Sequence, residues 1–112
     1  MNRISTHVLD LARGRPATGV PVRLERQESP GNWRLITSAQ TDEDGRCGQL
    51  LKDQLSSGVY RLHFETAAYF AATKTETLYP FVEITFEVRA GESHIHIPLL
   101  LNANGYTTYR GT

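Results

Sequence analysis

Four histidines, His7, His63, His94 and His96, are the proton carriers of this chain, and two of them stand at i and i+2 in His94-Ile95-His96-Ile97. A neutral imidazole takes a proton from water near neutral pH and gives it back, so histidines gathered beside a fixed cation can run general acid/base chemistry. The cation at hand is Arg46, which follows the turn sequence Asp42-Glu43-Asp44-Gly45 and would leave a constrained bend with its guanidinium already aimed. The chain closes on Tyr106-Thr107-Thr108-Tyr109-Arg110-Gly111-Thr112, a hydroxyl-rich end with a second guanidinium. Near its start stands Ile4-Ser5-Thr6-His7-Val8-Leu9-Asp10, an imidazole among small hydroxyls and strand-forming aliphatics. Reactive side chains at both extremities predict that the termini help build a site. There is no glycine-rich phosphate loop and no serine in a nucleophile-elbow setting. The set therefore fits activation of water, with arginine stabilising a developing oxyanion.

Other chemistries are less well served. His94 and His96 share one face of a strand and could grip a single metal ion, but a third ligand would have to come from His7 or a carboxylate, and no spacing supplies it. Asp42-Glu43-Asp44-Gly45 lacks the later ligands and terminal glutamate of a calcium loop. Cys47 is the single cysteine, which excludes an internal disulfide and a cysteine-rich zinc cluster, and a packed thiol is expected there. His63 lies between Arg61 and Glu65 on what reads as a solvated strand face, and is expected to be ordinary surface.

The elements that must position these residues are strands. Val82, Ile84, Phe86 and Val88 alternate with Glu83, Thr85 and Glu87, and Tyr60, Leu62 and Phe64 alternate with Arg61, His63 and Glu65. Val20, Val22 and Leu24 repeat the pattern, and residues 33–37 follow as a partner strand after Ser29-Pro30-Gly31-Asn32. An alanine-rich stretch, residues 66–74, without glycine or proline, predicts one short helix between strands. If the strand register survives Pro98, Leu100 joins the histidines, and their mixed face is suited to cover by another subunit. Short strands separated by turns imply an antiparallel sandwich or barrel in a single domain, residues 1–112. Lysine plus arginine and aspartate plus glutamate balance at 12 each, so no field gathers nucleic acid or anionic lipid. The longest apolar run, Ile97-Pro98-Leu99-Leu100-Leu101, is too short to span a membrane, and without a signal-peptide pattern a soluble cytoplasmic protein is expected.

Five segments in order carry a resemblance: Ser5-Thr6-His7-Val8-Leu9-Asp10, Gly14-Arg15-Pro16-Ala17, Thr41-Asp42-Glu43-Asp44-Gly45-Arg46, His94-Ile95-His96-Ile97-Pro98-Leu99-Leu100-Leu101 and the terminal Tyr106-Thr107-Thr108-Tyr109-Arg110-Gly111-Thr112. From end to end the chain resembles the 5-hydroxyisourate hydrolases, the transthyretin-related enzymes of urate breakdown. The resemblance implies a transthyretin-like sandwich of two four-stranded sheets with one short helix, assembled as a homotetramer, a dimer of dimers with sites where dimers meet. It implies metal-free, cofactor-free hydrolysis of 5-hydroxyisourate to 2-oxo-4-hydroxy-4-carboxy-5-ureidoimidazoline. Carried over by position, it implies that His7 and His96 activate water and move protons and that Arg46 meets the substrate carbonyl and its oxyanion. Tyr109, Arg110 and Thr112 would help place the substrate. Thr112 stands where the family usually ends in serine, and it keeps the hydroxyl while adding a methyl.

Two rival readings share the fold. A carrier like transthyretin would bind hydrophobic ligands in the channel between dimers and would want an apolar lining, whereas His7, Arg46, His96 and Tyr109-Arg110 offer a polar, titratable one. A purely structural sandwich explains the strands and leaves the two chemically loaded termini without a purpose.

Overall fold

Period-two burial turns the alternating segments into strands and stacks them as two sheets. The computed structural model describes residues 3–51 and 55–112. Its elements, in chain order, are β1 Arg3–Asp10, β2 Arg15–Pro16, β3 Pro21–Ser29, β4 Asn32–Gln40, β5 Arg46–Leu51, β6 Gly58–Phe64, α1 Thr66–Ala72, β7 Val82–Val88, β8 His94–Asn102 and β9 Gly105–Thr108. One sheet has the order β4-β3-β6-β7, antiparallel throughout. The other runs β2-β1-β8-β9, with β1 and β8 parallel, and β5 joins it by pairing with β1. One edge of β1 is thus shared, β5 taking residues 4–7 and β2 taking residues 9–10. The expected pair of four-stranded sheets is present, with the two-residue β2 as an added fifth strand on one of them.

The core lies between the sheets. Val22, Leu24, Tyr60, Leu62, Phe64, Val82 and Val88 face Ile4, Val8, Ile95, Ile97, Leu99 and Leu101, all of them buried. Burying a side chain of this size stabilises by about 1.5–3 kcal/mol over leaving it in water, so the alternation fixes which face of each strand turns outward. The helix forms within the alanine-rich stretch and buries Tyr69 and Phe70. The Tyr69 hydroxyl donates to Asp10 Oδ2 at 2.5 Å, while Asp10 Oδ1 accepts the Arg13 backbone N–H at 3.0 Å. Asp10 thereby clamps the end of β1 to the helix and to the turn that follows.

His63 departs from expectation. It is 5% exposed, its Nδ1 lies 2.8 Å from Glu83 Oε2 and its Nε2 lies 2.6 Å from Glu65 Oε1. The ring of Phe81 stacks on it at 5.0 Å. The alternation places His63 correctly on the polar face of β6, but its cover comes from residues outside the strand. Among the described residues no helix is long and apolar enough to cross a membrane.

Candidate active site

β1 turns Ile4, Thr6, Val8 and Asp10 into the interior and leaves Ser5, His7 and Leu9 on the opposite face. Two neighbours complete that face. Antiparallel β5 sets Arg46 directly across from His7, and parallel β8 sets His96 beside Ser5 and Pro98 beside His7. Paired residues on adjacent strands project to the same side about 5 Å apart, so the imidazole of His7, the guanidinium of Arg46 and the imidazole of His96 share one surface.

Arg46 is delivered there by its turn. Gly45 has φ +76°, and any β-carbon on it would collide with the carbonyl oxygen of Val8, so this bend needs glycine. Asp42 Oδ1 accepts the backbone N–H groups of Asp44 at 2.8 Å and Arg46 at 3.0 Å. Those backbone bonds, that of Arg46 first, hold the Asp42 carboxyl below the usual carboxylate range. They brace the loop through the main chain and leave the Arg46 side chain for other work.

The C-terminal segment closes the face. β9 pairs with β8 up to Leu99 opposite Thr108, the ladder then lapses, and it resumes as a single bridge between His96 and Gly111. Register is unchanged across the gap, which lies beside Pro98, a residue with no backbone N–H to donate. Tyr109 and Arg110 occupy that interval. The Gly111 N–H donates to the His96 carbonyl at 2.8 Å, and a β-carbon on Gly111 would stand 2.5 Å from His96 Cδ2. Glycine is therefore required here so that the main chain can lie against the imidazole. Arg110 donates from Nη2 to Glu92 Oε2 at 2.7 Å and from Nη1 to Oε1 at 3.3 Å, tying the terminus to the loop before β8.

A cavity of about 340 Å³ results, lined by His7, Leu9, Arg46, His96, Pro98, Tyr109, Arg110, Gly111 and Thr112. All six residues singled out in the sequence, His7, Arg46, His96, Tyr109, Arg110 and Thr112, thus meet within one chain. A second cavity of about 190 Å³ shares Arg46, His96 and Thr112 with the first and extends to Arg3, Ser5 and His94. The guanidinium of Arg110, engaged by Glu92, is less free than that of Arg46. The volume suits a small polar molecule, at the low end of ordinary ligand clefts.

Electrostatics keep His94 and His96 in the form a base requires. Burial first, then the charges of His94, Arg46, His7 and Arg3, pushes the His96 pKa down. Burial, then Arg3 and Arg110, does the same for His94. Both are therefore neutral to lower pH than an ordinary histidine. Cys47 is buried on β5 and its thiol is pushed up to about 11 by burial, with Asp42 adding to it, so it stays protonated at neutral pH and is no nucleophile.

Ser5 and Glu92 belong to this constellation without having been assigned to it by the sequence, and Gly111, known there only as part of the terminal motif, gains a structural reason. Ser5 is 6% exposed, with its Oγ 3.1 Å from His94 Nε2 and 2.8 Å from His96 Nδ1. The signal for Ser5 is its two-residue spacing from His7; the parallel register that brings it to His96 has no local signature.

Comparison with known proteins agrees with this architecture. The family model described as the HIUase/Transthyretin family matches residues 4–111. A mouse protein named 5-hydroxyisourate hydrolase is 42% identical over 111 residues, covering 97% of this chain and 94% of its own length. Among solved structures, 5-hydroxyisourate hydrolase of Klebsiella pneumoniae is similar with a TM-score of 0.89 and 36% identity, over 100% of both chains. Transthyretin from Sparus aurata is similar with a TM-score of 0.92 and 28% identity, over 99% of this chain and 97% of its own. The chain belongs to the HIUase/transthyretin family.

Proposed function

We propose that this chain hydrolyses 5-hydroxyisourate to 2-oxo-4-hydroxy-4-carboxy-5-ureidoimidazoline, a step of urate degradation. The observation that carries the reading is the convergence of His7, Arg46, His96, Tyr109 and Thr112 on one small cavity. Water adds to an acyl carbon of the six-membered ring, the carbonyl oxygen takes the negative charge, and the ring C–N bond then breaks to leave a carboxylate. His7 and His96 divide the proton transfers, one removing the proton of water and the other supplying the leaving nitrogen. Arg46 faces the carbonyl oxygen as it becomes an oxyanion, while Tyr109 and Thr112 place the ring. Arg110 supports that placement by holding the terminal segment to Glu92. No metal or cofactor enters this scheme.

The carrier reading has less support, because two imidazoles and a guanidinium with no ion-pair partner among the described residues would be desolvated against a hydrophobic ligand at a cost of several kcal/mol. Assembly as a homotetramer, with the site at the junction of dimers, is supported by large apolar side chains left exposed on the same sheet: Leu11 is 52% exposed, Tyr106 is 42% exposed, and both border a groove with Leu100. We assign the protein to the cytoplasm, in keeping with an unpaired buried cysteine.

The assay is the decay of freshly generated 5-hydroxyisourate followed by ultraviolet absorbance. The protein is expected to accelerate it well beyond the spontaneous rate, and decay at the spontaneous rate would end this reading. Within the same assay Gly111→Ala is a sensitive variant. Its methyl must displace the His96 ring, so kcat should fall about tenfold or more, as misplacement of a reacting group by a fraction of an ångström entails. Circular dichroism and sedimentation should be unaltered, since the change lies at a terminal bridge.

A further inference from the structure

Ser5 is a buried hydroxyl held between two imidazoles, 3.1 Å from His94 Nε2 and 2.8 Å from His96 Nδ1. A hydroxyl has one proton to donate and lone pairs to accept with, while a neutral imidazole donates from one nitrogen and accepts at the other. Only two concerted arrangements satisfy all three groups. In one, Ser5 accepts from His96 Nδ1–H and donates to His94 Nε2, which leaves His96 Nε2 with a free lone pair. In the other, His94 Nε2–H donates to Ser5 and Ser5 donates to His96 Nδ1, which puts the proton of His96 on Nε2 and disables it as a base. Among the described residues His96 Nδ1 has Ser5 as its partner, so Nε2 is the nitrogen open to a ligand.

We propose that Ser5 and His94 form, with His96, a hydroxyl-bridged proton relay that makes His96 Nε2 the base for water and leaves the acid role to His7. Ser5 is in this sense a positioning residue, since it acts through His96. The inference rests on the hydrolase reading. The proton leaves water for His96 Nε2 as oxygen bonds to the acyl carbon. The Nδ1 proton of His96 passes to Ser5 Oγ, and the hydroxyl proton of Ser5 passes to His94 Nε2. The net result is one proton from water on His94. Once the ring nitrogen has taken a proton from His7, the return movement brings the water proton back to His96 Nε2, solvent in the cavity carries it to His7, and the new carboxyl group gives its own proton to solvent. His96 lines both cavities and Ser5 and His94 line the second, so the relay leads from the larger cavity into the smaller one beside it.

The surroundings favour the productive resting arrangement, in which His94 is neutral, and they make the charge it takes up during the relay transient. Arg3 and His7 from β1, Arg46 from β5 and Arg110 from the terminal segment all face the pair with positive or titratable charge, while Glu92 is engaged by Arg110. A proton on His94 would hold Nε2–H toward Ser5 and turn the hydroxyl toward His96 Nδ1. The charge of His94 therefore decides whether His96 can accept.

The test is a double-mutant cycle with a spectroscopic readout. Ser5→Ala is expected to lower kcat about 10- to 100-fold, the range for losing a group that orients a proton-transferring ring, with KM little changed. His94→Ala should lower kcat by a smaller factor in the native background and by nothing further in Ser5→Ala, because His94 acts only through the hydroxyl. Multiplicative losses would overturn the relay. Independently of turnover, nitrogen NMR of the full-length native protein is expected to show His96 protonated on Nδ1, moving toward Nε2 in Ser5→Ala. A native His96 protonated on Nε2 overturns the proposal even if the variants fail to assemble. The tautomer is read without substrate, so a native protein that leaves 5-hydroxyisourate decay unaccelerated removes the hydrolase reading separately.

Discussion

His96→Ala is expected to lower kcat/KM for 5-hydroxyisourate by about 10²–10⁴-fold, the contribution usual for a positioned acid/base group. Assembly should survive, because the bond from Gly111 reaches the His96 carbonyl and not its ring. The pH profile makes the assignment specific. The base works as the neutral imidazole, and burial together with His94, Arg46, His7 and Arg3 depresses its pKa below the ordinary value of about 6.5. Activity should therefore hold as pH falls through that ordinary value and be lost only as it falls through the depressed one. In His96→Ala this acid limb should vanish from the residual rate. Stopped-flow decay traces across pH 4.5–8, about the span over which histidines titrate, give both quantities. A variant with near-native turnover, or a limb that persists unchanged, would take His96 out of the chemistry.

What the sequence displays and what it conceals follow from the range of each cause. The strands are legible because alternation is a two-residue property, and it correctly sets His94 and His96 on one face of β8 with Ile95 and Ile97 on the other. The continuation through Pro98 holds as well, with Leu100 half-buried beside the histidines. The helix was visible in a composition that favours nothing else. His63 escapes the alternation because burial on a polar face depends on residues outside β6, here Phe81, Glu65 and Glu83. Ser5 looks like any small strand hydroxyl until a parallel pairing 91 residues away in sequence brings His96 against it. Gly111 stands in a legible terminal motif, yet its reason, the closeness of the His96 ring, exists only once β9 and the terminus have folded along β8.

Arg46→Gln should cost about 10²–10³-fold in kcat, the loss seen when one donor to a developing oxyanion is removed. The substitution is clean, because the turn is braced by the Arg46 backbone N–H on Asp42 and not by the guanidinium. Binding should suffer less than turnover, since the carbonyl carries little charge before attack and a full one in the tetrahedral intermediate. A second effect separates this role from a generic loss of structure. The Arg46 charge is one of the forces lowering the His96 pKa, so removing it lets that value rise toward the ordinary one, and the acid limb of kcat/KM should move to higher pH. Arg46→Lys keeps the charge but not the planar fork, so it should leave the limb near its native position while recovering only part of kcat. If glutamine and lysine variants lose turnover equally and neither moves the limb, Arg46 serves the architecture of the loop, and the oxyanion must be met by some other donor in the cavity.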